Sequence, residues 1–334
     1  MRYPVRGRSA LSVLAFLSAS ALMAPAHAAD QVTAGDLAHQ VVPVIASNIA
    51  DVYPFPDLGA QYARRVTKAL AQGRYNGLSG VELATALDAD LQSVHPDKHL
   101  AVRYSHRGHM QASGDANDIP NQRKERHDSN FGFTSVQVDP STSTTYVKSG
   151  GPWWPEQETF AIAAGAMAVA SQSDNVIIDL RNNGGGSGVI GRFLASYFLD
   201  TGDERFYLDG FGRTSAQKVQ EWTYAYVPGQ RMPHARLIIL VNRNTASASE
   251  GFAYAMQQMH RATIVGETTA GAGIATGAVP LAGDLVFYLP SKMVVGPNTT
   301  KGWEGTGVIP DVPVGDRDAR KVAEELIRPA RAAG

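Results

Sequence analysis

Hydrophobic positions recur on one helical face through the first third of the chain. Leu37, Val41, Val44 and Ile45 repeat in this way, then Tyr62, Val66, Ala69 and Leu70, then Leu83, Leu87 and Leu91. Pro54 and Pro56 separate the first helix from the second. Gly77-Leu78-Ser79-Gly80 separates the second from the third, with Ser79 as a candidate N-cap. Residues 29–105 are therefore expected to form a small helical bundle. Residues 106–129 are polar, with mixed charge and almost no apolar side chain, and read as a linker. The texture then changes. Phe133–Val138 alternates like a strand, whereas Val176–Leu180 and Leu237–Val241 are nearly all apolar, and Ala262–Val265 is a further strand. Helices are expected over Glu156–Gln172, Val189–Leu199, Ala248–His260 and Arg317–Ala330. Buried apolar strands alternating with helices predict an α/β core over 130–330 with parallel pairing.

Composition narrows the chemistry. There is no Cys, which excludes a disulfide framework, a thiolate metal site, a lipid-anchored Cys and a Cys nucleophile. A net charge of −1 leaves no electrostatic footprint for nucleic acid. The N-terminus has the grammar of a secretory signal peptide: Arg2, Arg6 and Arg8, then apolar Leu11–Met23, then Ala26-His27-Ala28. Cleavage after Ala28 would remove residues 1–28 and deliver a soluble periplasmic or secreted protein without a membrane span. No cofactor or metal is called for. His95, His99, His106 and His109 lack the spacing of a zinc helix motif.

Four stretches carry candidate chemistry. Asn182-Asn-Gly-Gly-Gly186 follows an apolar strand, and its backbone N–H groups can turn toward an anion or simply make a flexible turn. Asn244-Thr-Ala-Ser-Ala-Ser-Glu250 lies between a strand and a helix. A Ser there is either an N-cap or a nucleophile at the positive end of the helix. A Ser nucleophile needs a base, and His95 and His99 are both placed in the loop after the bundle. Trp303-Glu304-Gly-Thr-Gly307 holds Glu304 on a tight turn, where a carboxylate can orient a His. Glu250 is its rival, although an acid in a first helical turn is expected for the dipole alone.

Together these stretches resemble the C-terminal processing (tail-specific) serine peptidase superfamily, and most closely its branch with the tricorn core and interphotoreceptor retinoid-binding protein. Asp179–Gly186, Thr245–Glu250, Arg261–Thr269 and Gly307–Asp311 carry the resemblance, with Asp97-Lys-His-Leu100 similar to the branch's Asp-Gly-His-Leu. It implies a crotonase/Clp-protease-like spiral of β-β-α units behind the N-terminal helical bundle. It implies an exported peptidase acting on a peptide or protein substrate. Ser247 would be the nucleophile, His99 the base and Glu304 its orienting acid. Gly185 or Gly186, with Ala248, would supply the oxyanion hole. Ala272 stands where the processing peptidases carry a Lys, so a Ser–Lys dyad is not implied. Lys98 stands where the branch has a Ser supporting the His. The alternative on the same fold is a non-catalytic or weakly catalytic binding protein for apolar ligands.

Overall fold

The helical spacing of the N-terminal third is realised as Ala34–Val52 (α1), Pro56–Ala71 (α2) and Gly80–Gln92 (α3). Pro56 opens α2, where its missing N–H costs nothing. Ser79 caps α3: its side chain accepts from the Glu82 N–H, and the Glu82 carboxylate accepts from the Ser79 N–H. The buried faces of these helices, including Val41, Ile45, Tyr62, Val66, Leu83 and Leu87, form one apolar cluster. Leu100 and Val102, and Leu285, Phe287 and Leu289, complete it. The computed structural model describes residues 34–104, 119–200, 206–212, 219–297 and 299–328, all within a unit spanning Thr33–Gly334. The expected signal peptide lies outside the described residues.

Further along come Ala101–Tyr104 (β1), Ile119–Asp128 (α4), Ser135–Asp139 (β2), Thr144–Lys148 (β3), Gln157–Ala170 (α5) and Asn175–Asp179 (β4). Gly188–Tyr197 (α6), Phe206–Phe211 (β5), Val219–Trp222 (β6), Arg236–Val241 (β7), Ala248–Gln258 (α7) and Ala262–Gly266 (β8) follow. Ile274–Leu281 (β9), Leu285–Val295 (β10), Val312–Pro313 (β11) and Ala319–Ile327 (α8) complete the order. Helix α4 falls where the polar sequence reads as a linker. It lacks an apolar stripe, so periodicity has nothing to register there.

Two sheets organise these elements, and the molecule is mixed α/β. The six-stranded sheet runs β11-β8-β7-β4-β3-β2 and is parallel except for the β2–β3 pair. Its central strands read as unbroken apolar runs because both faces are covered. Val176, Ile178, Leu237 and Ile239 face one cluster with α5, α6 and α7 residues. Ile177, Ile238 and Leu240 face another, closed by Ala319, Ala323 and Ile327 of α8. The parallel pairing of β4 with β7 (Asp179 opposite Leu240) brings the C-terminal ends of both strands to the same edge. The second sheet is antiparallel and runs β1-β10-β5-β6, with β9 also on β10.

Candidate active site

The loops leaving β4 and β7 are tied together by their own side chains. Thr245 Oγ1 donates to the Leu180 carbonyl (2.9 Å) and accepts from the Asn242 N–H (3.0 Å). The Asn182 N–H donates to Asn242 Oδ1, and Asn242 Nδ2 donates back to Asn182 Oδ1. Buried Asn183 donates to the Ser149 carbonyl, and its own carbonyl accepts from the Ala246 N–H and from Ser249 Oγ. Ser249 is fully buried and also donates to the Ala246 carbonyl. Its hydroxyl is structural.

Ser247 differs. It heads α7 with φ 53° and ψ −120°, a conformation that non-glycine residues rarely adopt. Gly185 lies against this turn: a Cβ there would come within 2.7 Å of both the Ala246 oxygen and the Ser247 Cβ. The glycine at 186 is equally demanded, since a Cβ would meet the Trp153 oxygen at 2.2 Å. The two glycines differ in what their N–H groups do. That of Gly185 donates to Asn183 Oδ1 (2.9 Å), so it is already engaged, unlike the free donor that the sequence reading allowed. The Gly186 and Ala248 N–H groups have no acceptor among the described residues. Gly186, Ser247 and Ala248 line one cavity of about 320 Å³ together with Gly251, Ala272 and Trp303.

The strained turn is held by Glu250, the rival of Glu304 in the sequence and an acid that a first helical turn would call for on the dipole alone. Its side chain is fully buried. Oε2 accepts from the Ser247 N–H (2.7 Å) and the Ala272 N–H (2.9 Å). Oε1 accepts from the Gly271 N–H (2.7 Å) and from Thr269 Oγ1. One carboxylate thus joins the Ser247 turn to the segment entering β9. The Ser247 bond belongs to a local Ser-x-x-Glu pattern, but the other three donors come from about twenty residues downstream, where no local pattern could reveal them.

His99 belongs to the other core. Gln92 of α3 shapes its loop, donating to the Asp97 and Leu100 carbonyls and accepting from the Asp97 N–H. Asp97 Oδ1 accepts from the His99 N–H (2.8 Å) and stands 3.4 Å from His99 Nδ1. Asp97 Oδ2 accepts from the Tyr53 hydroxyl (2.8 Å). At 3.4 Å the Nδ1 contact is long, and Nδ1 has no better partner among the described residues. Burial alone would lower the His99 pKa. The Asp97 contact and the charges of Glu304, Asp97 and Glu250 outweigh it and raise the pKa above its ordinary value. Burial pushes Asp97 up, but the His99 and Tyr53 contacts carry it below the usual carboxylate range.

Glu304 sits across the same cavity, of about 380 Å³, which Tyr53, Asp97, His99 and Glu304 line with Gly271 and Ile274. Its Oε2 accepts from the Gly273 N–H (2.6 Å). Burial raises its pKa, with the Gly273 bond and His99 opposing. His99 and Glu304 are therefore brought together as the sequence suggests, with Asp97 closer to the ring. Ser247 opens into the neighbouring cavity, and Ile274 lines both. No hydrogen bond joins Ser247 to His99 among the described residues. Exposed His95 also lines the His99 cavity. Among the described residues no helix is long and apolar enough to cross a membrane.

Comparison with known proteins places this geometry. Peptidase family S41 matches residues 155–314, and the N-terminal domain of peptidase S41 in eukaryotic IRBP matches residues 26–135. A carboxyl-terminal-processing protease from Picosynechococcus sp. is 38% identical over 102 residues, 30% of this chain and 23% of that protein. A tail-specific protease from Haemophilus influenzae is 33% identical over 102 residues, 30% of this chain and 14% of that protein. The matched stretch thus spans about a quarter or less of these curated relatives. Among solved structures, a lipoprotein from Streptococcus agalactiae superposes with TM-score 0.65 at 14% identity, covering 86% of this chain and 96% of that one. The tricorn protease does so with TM-score 0.53 at 11% identity, covering 88% of this chain and 37% of that one. At such identities the superpositions speak for the fold alone. The family matches run through both the helical N-terminal part and the sheet that carries Ser247: the chain belongs to peptidase family S41.

Proposed function

We propose that this chain is an exported serine peptidase that hydrolyses peptide bonds through Ser247. The observation that carries the reading is the Ser247 turn itself. A strained serine at a helix N-terminus, fixed by a buried carboxylate, faces a cavity beside two unengaged backbone N–H groups. His99 takes the Ser247 Oγ proton as Oγ attacks the scissile carbonyl carbon. The Gly186 and Ala248 N–H groups receive the oxyanion, with Gly185 serving the turn by its close packing. The imidazolium returns the proton to the leaving amine as the C–N bond breaks. Water, deprotonated by His99, then releases the acyl group as a carboxylate and restores Ser247. Asp97 and Glu304 flank the imidazole and favour its charged form. Contacts between nucleophile and base commonly tighten only when substrate is bound.

The same reading takes the fold as a crotonase/Clp-protease-like spiral preceded by an N-terminal helical bundle over 29–105. The β2-β3-α5 order and the shared core of α1, α2 and α3 support it. Export rests on the pattern of residues 1–28. A fluorophosphonate probe tests the chemistry. It should label Ser247 and no other serine, and labelling at Ser249 would overturn the assignment. The binding-protein alternative draws on the separate cavities of Ser247 and His99. Under that reading Ser247 would stay unlabelled while an apolar ligand binds.

A further inference from the structure

The cavity in front of Ser247 has an uneven lining. Gly186, Gly188, Gly251, Ala272, Gly273 and Ala275 are small, and Ile274, Val294 and Trp303 are apolar. Among the described residues one charged side chain lines it, that of Glu221 on β6. Glu221 is half-buried, and no cation pairs with it among the described residues. The nearby Arg192 is committed elsewhere: its guanidinium donates to the Trp222 carbonyl and stacks over the Tyr224 ring at 4.3 Å. Glu221 thus stands at the cavity without a counter-charge, which a cationic ligand group can supply.

We infer that Glu221 is a specificity-determining residue that receives the cationic side chain of a Lys or Arg next to the bond presented to Ser247. This rests on the peptidase reading of the same site. The small residues leave room for an extended backbone. The apolar side chains of Ile274, Val294 and Trp303 suit the methylene stem of Lys or Arg, whose charged head can then meet Glu221. A neutral side chain would leave the carboxylate unpaired, and an acidic one would be repelled. A charge-assisted pair at a half-buried site gives a preference of roughly tenfold or more over an isosteric neutral residue.

The test separates recognition from chemistry by using the full chain with Ser247→Ala. Fluorescent alanine-based peptides, acetylated and amidated, carry Arg, Lys, Gln or Glu at one fixed position, and binding is read by anisotropy. Arg and Lys peptides should bind roughly tenfold or more tightly than the Gln peptide. Adding Glu221→Gln should level the series, and Glu221→Lys should turn the preference toward the Glu peptide. Circular dichroism checks that each variant folds. Equal binding of the Arg and Gln peptides, no binding of any peptide, or an Arg preference that survives Glu221→Gln overturns the inference. Cation-selective binding without probe labelling of native Ser247 would instead remove the hydrolytic reading and leave this recognition standing.

Discussion

Replacing Glu250 by Gln tests whether one buried carboxylate holds the nucleophile turn. Each of its oxygens accepts two hydrogen bonds, Oε2 from the Ser247 and Ala272 N–H groups and Oε1 from the Gly271 N–H and the Thr269 hydroxyl. A Gln keeps the volume but turns one oxygen into an NH2 donor. If that NH2 takes the Oε2 place, two fixed N–H donors face it. If it takes the Oε1 place, the Thr269 hydroxyl can rotate, and its oxygen already accepts from the Val308 N–H (2.7 Å). The Gly271 N–H cannot rotate. The less costly orientation therefore loses at least one charge-assisted bond and leaves one buried donor unpaired, about 2–3 kcal/mol. That is a large part of an ordinary folding free energy. Urea unfolding should show a lower midpoint with an unchanged slope. Fluorophosphonate labelling of Ser247 should slow in parallel, because the unpaired Gly271 N–H loosens the segment that shares this side chain with the φ 53° Ser247 turn. An unchanged midpoint together with an unchanged labelling rate would refute the claim that Glu250 maintains the turn.

Ser247→Ala should lower peptide turnover by roughly four orders of magnitude or more with little change in stability. Ser249→Ala should lose about 1 kcal/mol of stability, measured by denaturant unfolding, while keeping most activity, because its hydroxyl bonds only to buried carbonyls. Gly186→Ala should cut turnover strongly, since its Cβ would meet the Trp153 oxygen at 2.2 Å and push the donor N–H aside. The base must be neutral to accept a proton, and the His99 pKa is raised. The rising limb of kcat/KM against pH should therefore lie above the ordinary His value of 6.5. Asp97→Asn removes a contact that raises it while burial continues to lower it. The limb should then move to lower pH, and a shift upward would contradict the assigned causes.

Much of the framework was legible because it rests on local or strongly periodic signals. The apolar stripes of α1 to α3 and the runs in β4 and β7 name their own environment. The β9–β10 hairpin is harder to read. Ala275, Thr276, Gly277 and Ala278 carry no alternation, and Pro290 interrupts the apolar run of β10 beside an irregularity in the register. Its turn was present in the sequence: Leu281 pairs with Leu285 across Ala282, Gly283 and Asp284, the last two with positive φ. At the candidate site, Ser247, His99 and the glycine loop are marked by composition and spacing. The role of Glu250 depends on donors from a distant loop, and the place of Asp97 depends on Tyr53 from the bend between α1 and α2. Such contacts exist only once the chain has folded, and a single sequence holds no trace of them.

The choice of base can be reached from what surrounds Ser247 as well as from what resembles it. A lysine base would have to reach the Ser247 cavity, yet among the described residues no Lys lines that cavity, and Ala272 presents only a methyl group to it. Lys98 lines the neighbouring cavity but is exposed. Glu250 is adjacent, but both of its oxygens already accept bonds from fixed donors. Glu304 lines the neighbouring cavity and not that of Ser247, and its Oε2 is bound to the Gly273 N–H. His99 remains. Its ring is mostly buried, carboxylates flank it, and it is separated from Ser247 by the segment whose N–H groups bind Glu250 and Glu304. That segment, Gly271–Gly273, anchors the carboxylate beneath the nucleophile and the one beside the base. A shift there would move both together, so the closing of Ser247 onto His99 is a matter of how the His99 loop, carried by the helical core, approaches a turn that is already fixed.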